Sequence, residues 1–241
     1  MSEQTPGTKP YWHRRLLEPR AGLMAIVTTL CISVGGLVEI VPMFTVEANP
    51  AEVTAKIAPY TPLEVAGRDI YIREGCYVCH SQMVRPFRDE TLRYGAWSRS
   101  EEYTWDRPFL LGSRRTGPDL ARVGGKYPDA WHYEHMRDPR SMTSGSIMPA
   151  YAWLIDWKID PEDVRASVVA LKRVGTPYTD EQVARVPELL KEQGDKIVAN
   201  YAAGKVTAEW DDEIVALTAY LQRLGHMDAT GPVAAVDGGA P

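Results

Sequence analysis

The chain has 241 residues, enough for one modest domain with accessories and a sizeable core. Its 27 Lys and Arg against 32 Asp and Glu leave a net charge of −5, which argues against a nucleic-acid binder that works by neutralising phosphates. Three cysteines, with Cys31 inside an apolar run, exclude a disulfide framework, so Cys76 and Cys79 must be read where they stand.

Residues 1–20 carry Lys9, Arg14, Arg15 and Arg20 against Glu3 and Glu18. The stretch 21–44 is apolar with one acid, Glu39, and at ~1.5 Å of rise per residue it exceeds the roughly 30 Å hydrocarbon core. It predicts a single transmembrane anchor. A cleaved signal peptide is the competing reading, with Val46 and Ala48 at a small-residue cleavage site, but the apolar part of such a peptide spans only about 7–15 residues. The basic flank puts residues 1–20 in the cytoplasm and the bulk of the chain on the other side. Glu39 would be costly facing lipid and predicts a partner subunit or a protonated carboxyl. Cys31 reads as a small buried hydrophobe.

Residues 45–60 are Pro- and Ala-rich without a sustained period and predict a linker; the folded domain then covers 61–225. Thr61-Pro62-Leu63-Glu64 supplies an N-cap hydroxyl, a first-turn proline and a carboxylate three residues on, so a helix should run through Tyr71 into the cysteine motif. Residues 82–128 show no helical or alternating period and predict a long ordered loop, with Tyr94, Trp97, Tyr103, Trp105 and Phe109 supplying apolar area. A short helix is expected over 129–137, ended by Pro139. Another follows Asp160-Pro161-Glu162-Asp163, with Val164, Val168 and Leu171 on one face. A third starts at the Thr179 to Gln182 capping box, where Pro187 should kink it or shift its start. The last runs from about Glu209 to Leu224 on Ile214, Leu217, Leu221 and Leu224. No stretch reads as a strand, and 226–241 reads as a disordered tail. The fold class is mainly α.

Cys76-Tyr77-Val78-Cys79-His80 places two thiols three residues apart on one helical turn, with an imidazole adjacent. That pattern suits two thioether bonds to a haem and an iron ligand from the same side. A zinc site would need four Cys or His ligands, and there is no second Cys pair. A redox dithiol would be expected near a strand-helix-strand unit, which the sequence does not show. A sixth iron ligand must come from far along the chain, and a Met thioether is a common choice. Met148 is best placed, because Pro149 holds it extended; Met142 and Met136 are rivals, while Met83 is too near the cysteines. His132 and His135, one turn apart, are imidazole alternatives. Arg114 and Arg115 are candidates for haem propionates, with a solvated basic turn as the equal alternative.

Four strings carry a resemblance: Gly35 to Pro42 (GGLVEIVP), Gly75 to Phe87 (GCYVCHSQMVRPF), Arg115 to Lys126 (RTGPDLARVGGK) and Met148 to Tyr151 (MPAY). With them the chain resembles class I cytochrome c domains, and more specifically subunit II of the cbb3-type cytochrome c oxidases, the mono-haem CcoO or FixO family. The resemblance implies a class I cytochrome c-like domain with long ordered loops behind a single anchor. It implies one covalent haem c on Cys76 and Cys79, with His80 proximal and Met148 distal. Electrons would arrive from a dihaem cytochrome c subunit or a soluble cytochrome and pass to haem b of catalytic subunit I, which holds haem b, haem b3 and copper. The implied address is a bacterial inner membrane, with a cytoplasmic N-terminus, a periplasmic haem domain and no nucleic-acid partner. A calcium ion at a subunit interface is compatible with the resemblance, though no residue here is assigned to it.

The chain is not expected to reduce oxygen itself, since it has five histidines and no membrane-embedded set of them for a binuclear centre. Two other readings are a haem with an open distal site doing peroxidase or gas-sensing chemistry, and a chiefly structural subunit. Either the 161–174 helix or the 209–224 helix should pack on the one before the haem; spacing from Met148 favours the first, and Tyr220 tips the choice to the second.

Overall fold

The computed structural model of the chain describes residues 11–45 and 57–226. They belong to two units, one ending at Pro50 and the other beginning at Ala51. Most of the expected 45–60 linker and all but the first residue of the expected 226–241 tail lie outside the described residues.

The first unit consists of α1 (Trp12–Leu16) and α2 (Ala21–Thr45). Hydropathy does not foresee α1; its end is tied down locally, with Arg20 donating to the Leu16 carbonyl at 2.9 Å. Residues Ala21–Pro42 of α2 are long and apolar enough to cross a membrane. Leu30, Ile32, Leu37 and Val38 are all exposed along it, unlike the side chains of a soluble core helix.

The second unit is helical, and among the described residues there is no strand, only an isolated bridge between Lys158 and Asp212. In order come α3 (Pro62–Arg73), α4 (Cys76–Cys79), α5 (Arg88–Tyr94), α6 (Asp129–Arg137), α7 (Pro139–Met142), α8 (Pro161–Arg173), α9 (Asp180–Ala184), α10 (Val186–Ala203) and α11 (Glu213–Arg223). Single 3₁₀ turns occupy Ser100–Tyr103 and Ala152–Ile155. The capping box at the start of α3 is complete: the Thr61 amide donates to Glu64 Oε2 at 2.8 Å, and the Thr61 hydroxyl accepts from the Glu64 amide at 3.4 Å. At its far end α3 does not continue into the cysteine motif as expected. Gly75, at φ 70°, breaks the helix and lets the motif start a separate turn.

The core is built where α11 crosses α3, the most extensive helix contact in the unit. Its closeness depends on Gly67: a Cβ there would lie 1.9 Å from the Ala216 carbonyl oxygen and 2.8 Å from Tyr220 Cβ. One turn on, the Tyr71 and Tyr220 rings meet at 5.3 Å between centroids, and Tyr60 joins them at 5.9 Å from Tyr220. Residues Glu213 to Leu221 are all buried, because α6 and α10 enclose the sides of α11 that α3 does not. The α8 helix flanks α3 with buried Val164 and Val168, but the crossing belongs to α11, as Tyr220 suggested.

Two expected boundaries move. Pro187 divides one anticipated helix into α9 and α10 and sits in the first turn of α10, where a missing N–H costs no helical bond. Residues 209–212 form a turn rather than the start of α11, since the Glu209 amide donates to Asp212 Oδ2 at 2.7 Å and Lys158 pairs with Glu209, Asp211 and Asp212. The 82–128 loop also holds two elements that its sequence does not announce, α5 and the Ser100–Tyr103 turn.

Candidate haem-attachment site

One turn of helix, α4, carries both thiols, and His80 ends it in an extended conformation. The ring meets the backbone of 116–118. His80 Nδ1 lies 2.7 Å from the Pro118 carbonyl oxygen, which can only accept, so Nδ1 carries the proton and Nε2 is left with its lone pair. Gly117 lies flat under the ring; a Cβ there would stand 2.2 Å from His80 Cε1. The Gly117 amide donates to the Cys79 carbonyl at 3.0 Å, joining the two strings directly. Burial lowers the His80 pKa, which keeps the imidazole neutral as a metal ligand must be.

Neither Cys76 nor Cys79 is in a disulfide. Burial, with Glu74 adding, pushes the Cys76 thiol up to about 12. A thiol held that high is a poor redox dithiol partner, which weighs against the thioredoxin-like alternative. A free Nε2 on an oriented, neutral imidazole beside two thiols one turn apart is a donor set that fits a covalently held haem.

Behind His80 the loop is held by a lattice of side chains that sequence reasoning did not assign. Asp119 is the centre. Its Oδ2 accepts from Ser81 Oγ at 2.6 Å and from the Met83 amide at 2.9 Å, and its Oδ1 accepts from the Ala121 amide at 2.8 Å. Arg115 donates to Ser81 Oγ at 2.7 Å, to the Met83 carbonyl at 2.9 Å and to Glu90 Oε2 at 2.8 Å. Arg115 is therefore occupied within the loop, while Arg114 is exposed. Glu90 is buried, and its bonds with Arg115 and Arg85 hold its carboxyl at about 2. Gln82 links this lattice to the helix crossing, donating to the Tyr220 hydroxyl at 3.1 Å. The one sequence signal for the lattice was Asp119 itself, a charged residue directly after Gly-Pro and followed by apolar positions.

The other candidates separate by burial. Met136 is core, Met142 is exposed and Met83 lies on the Asp119 lattice, whereas Met148 is half-buried at the edge of the core. Its loop is fixed by Tyr151, whose amide donates to the Met136 carbonyl at 2.7 Å. Burial raises the Tyr151 hydroxyl pKa, and Cys76 and Cys79 raise it further, so the end of the Met148–Tyr151 string stands near the two thiols. His132 is buried, with its ring edge-on to Trp131 at 5.4 Å, and burial lowers it to about 4. His135 stacks on Trp131 at 4.5 Å and is lowered by burial and by the nearness of His80. Among the described residues no group of three or more His, Cys, Asp or Glu is placed to hold a metal ion.

Residues 13–227 match a family model described as cytochrome c oxidase, mono-heme subunit/FixO. No curated protein matches the chain.

Proposed function

Because the chain belongs to the FixO family of mono-haem cytochrome c oxidase subunits, we propose that it is the electron relay of a cbb3-type oxidase, working through one covalently bound haem c. When bound, the haem supplies a one-electron iron couple. Cys76 and Cys79 hold it by thioethers, His80 Nε2 takes the proximal position and Met148 the distal one. The observation that carries the reading is the Pro118 carbonyl bond to His80 Nδ1, which fixes the tautomer and points the other nitrogen outward. The α2 helix anchors the chain in the inner membrane, with residues 1–20 cytoplasmic and the haem domain periplasmic. Glu39, the one charged side chain of the stretch 21–44, then faces a neighbouring subunit rather than lipid. Electrons come from a dihaem subunit or a soluble cytochrome and leave for haem b of catalytic subunit I, where oxygen is reduced. A Met148 ligand closes the distal side, which disfavours peroxidase or gas-sensing chemistry. The test is the full chain in mild detergent. A pyridine haemochrome spectrum should show one haem retained through denaturation. Met148→Ala should remove the near-infrared methionine-to-iron band and stop oxidase turnover in the assembled complex. A chain without covalent haem, or a Met148→Ala complex with unchanged band and turnover, sinks the proposal.

A further inference from the structure

Positive charge in the second unit is gathered behind the proximal histidine. Residues 82–128 hold nine Lys and Arg against six Asp and Glu, whereas the rest of the described unit holds thirteen against nineteen. Eight of those nine cations are Arg, the cation enriched in protein interfaces, where Lys is depleted. Here a cleft of about 280 Å³ opens between α5 and the Thr116 to Pro118 backbone, the same backbone that accepts the His80 Nδ1 hydrogen bond.

Tyr94 lines the cleft, with the Arg93 and Arg115 guanidiniums each 5.1 Å from its ring centroid. Arg115 and Arg85 are both taken up by Glu90. Arg93 is different: it is exposed and pairs with no carboxylate among the described residues. Three large apolar side chains of the same segment also stand in water, Phe87 at 55%, Leu92 at 77% and Trp97 at 47% exposure. Arg85 lies over the Phe87 ring and Arg99 over the Trp97 ring. Arg and aromatic side chains, enriched at protein interfaces, thus stand exposed on the same segment that forms one wall of an open, largely polar cleft.

We propose that this cleft seats an aspartate or glutamate of a neighbouring oxidase subunit, paired with Arg93, while the exposed Phe87, Leu92 and Trp97 of the same segment offer that subunit apolar contact beyond the cleft lining. This rests on the oxidase-subunit reading above. A carboxylate fits where other ligands do not. The volume falls below the usual small-molecule range, which begins at about 300 Å³. Arg85, Arg93 and Arg115 on the lining against Asp89 and Glu90 leave one net positive charge, which balances a single carboxylate and not a doubly charged phosphate. A permanent subunit fits better than a passing donor, because transient electron-transfer contacts are small while lasting ones cover more apolar surface. The partner would then bear directly on Gly117 and Pro118, the residues that position His80.

Carbodiimide coupling tests this in the assembled oxidase. R93K puts a primary amine where the guanidinium stands, and the reagent joins an amine to a carboxylate in contact with it. Mass spectrometry of the digested complex should find position 93 joined to an Asp or Glu of another subunit. R93E should release about tenfold more of the chain from the detergent-solubilised complex when salt is raised, the loss expected of an interface arginine. An intact oxidase in which position 93 couples to nothing, or only within the chain as to Asp89, overturns the proposal, and so does R93E retained like the wild type. Haem staining of the same samples separates the two readings. A haem-bearing, assembled chain without the coupling overturns the cleft alone, while a wild-type chain that binds no other subunit overturns the oxidase reading with it.

Discussion

The α3–α11 crossing and the loop behind His80 both hold a backbone in place, and they do so by opposite physics. At the crossing the backbone bonds are satisfied within each helix, so the contact is made by apolar side chains and by what is missing at Gly67. Behind His80 the backbone is irregular, so the amides of Met83, Arg85 and Ala121, together with the Ser81 hydroxyl, are satisfied by the carboxylates of Asp119 and Glu90. The crossing yields to a change of volume. The loop yields to the loss of a charge or a hydrogen bond. Gln82 and Tyr220 form a seam between the two regions, with the hydroxyl and the amide bonded in both directions.

The largest expected effect is on the crossing. Gly67→Ala puts a methyl group 1.9 Å from the Ala216 carbonyl oxygen, which only separation of the helices can relieve. A cost of at least about 4 kcal/mol is expected, in the range reserved for core overpacking and backbone conflict. Denaturant unfolding of the holo-chain measures it; a variant within 1 kcal/mol of the wild type, roughly the tolerance of a volume-conserving swap, would show that the crossing is looser than described. Next comes the loop. Asp119→Ala strips partners from Ser81, Met83, Ala121 and Arg115 at once and should cost about 3 kcal/mol. Its signature is local: hydrogen exchange should rise at the amides of Met83 and Ala121 before it rises in α11. Equal exchange changes in both regions would mean that the two are one cooperative unit and that the contrast fails.

The same contrast decides what could be read from the sequence. Helices of the frame were legible because their signals are local. Thr61-Pro62 and Asp160-Pro161 mark starts, and the apolar period through Leu217 and Leu221 marks a face. The start of α11 was misplaced by the Lys158 cluster, a contact with a residue some fifty positions earlier that no window around Glu209 contains. The cysteine motif and His80 were legible as chemistry, and the proline that bonds His80 was inside a string already singled out. What the sequence hid was the purpose of Asp119, Arg115 and Glu90. Each looks like a surface charge until the fold brings residues 81–90 against 115–121, and burial then converts ordinary charges into the fixed supports of the loop. The α5 helix was missed for a related reason: it is seven residues long and has no side-chain cap, so its support comes from the loop rather than from its own sequence.

The smallest effect at neutral pH is one that appears only in acid, and it bears on the loop alone. Arg115 first, and then Arg85, hold the Glu90 carboxyl at about 2, against the opposing pull of burial. An unfolded glutamate titrates near 4.3, so the folded value lies below the unfolded one. The stabilisation from Glu90 is therefore complete above about pH 4.3 and is lost as the pH falls toward 2. In that window the Arg85 amide, which donates to Glu90 Oε2 at 2.9 Å, should lose hydrogen-exchange protection ahead of the α3 and α11 amides. Glu90→Gln should remove the pH dependence at Arg85 while leaving the crossing unchanged. A wild-type Arg85 amide whose protection stays flat between pH 4.3 and 2 would mean that the loop is held by its backbone and by Asp119, with the Arg115–Glu90–Arg85 charges adding nothing to it.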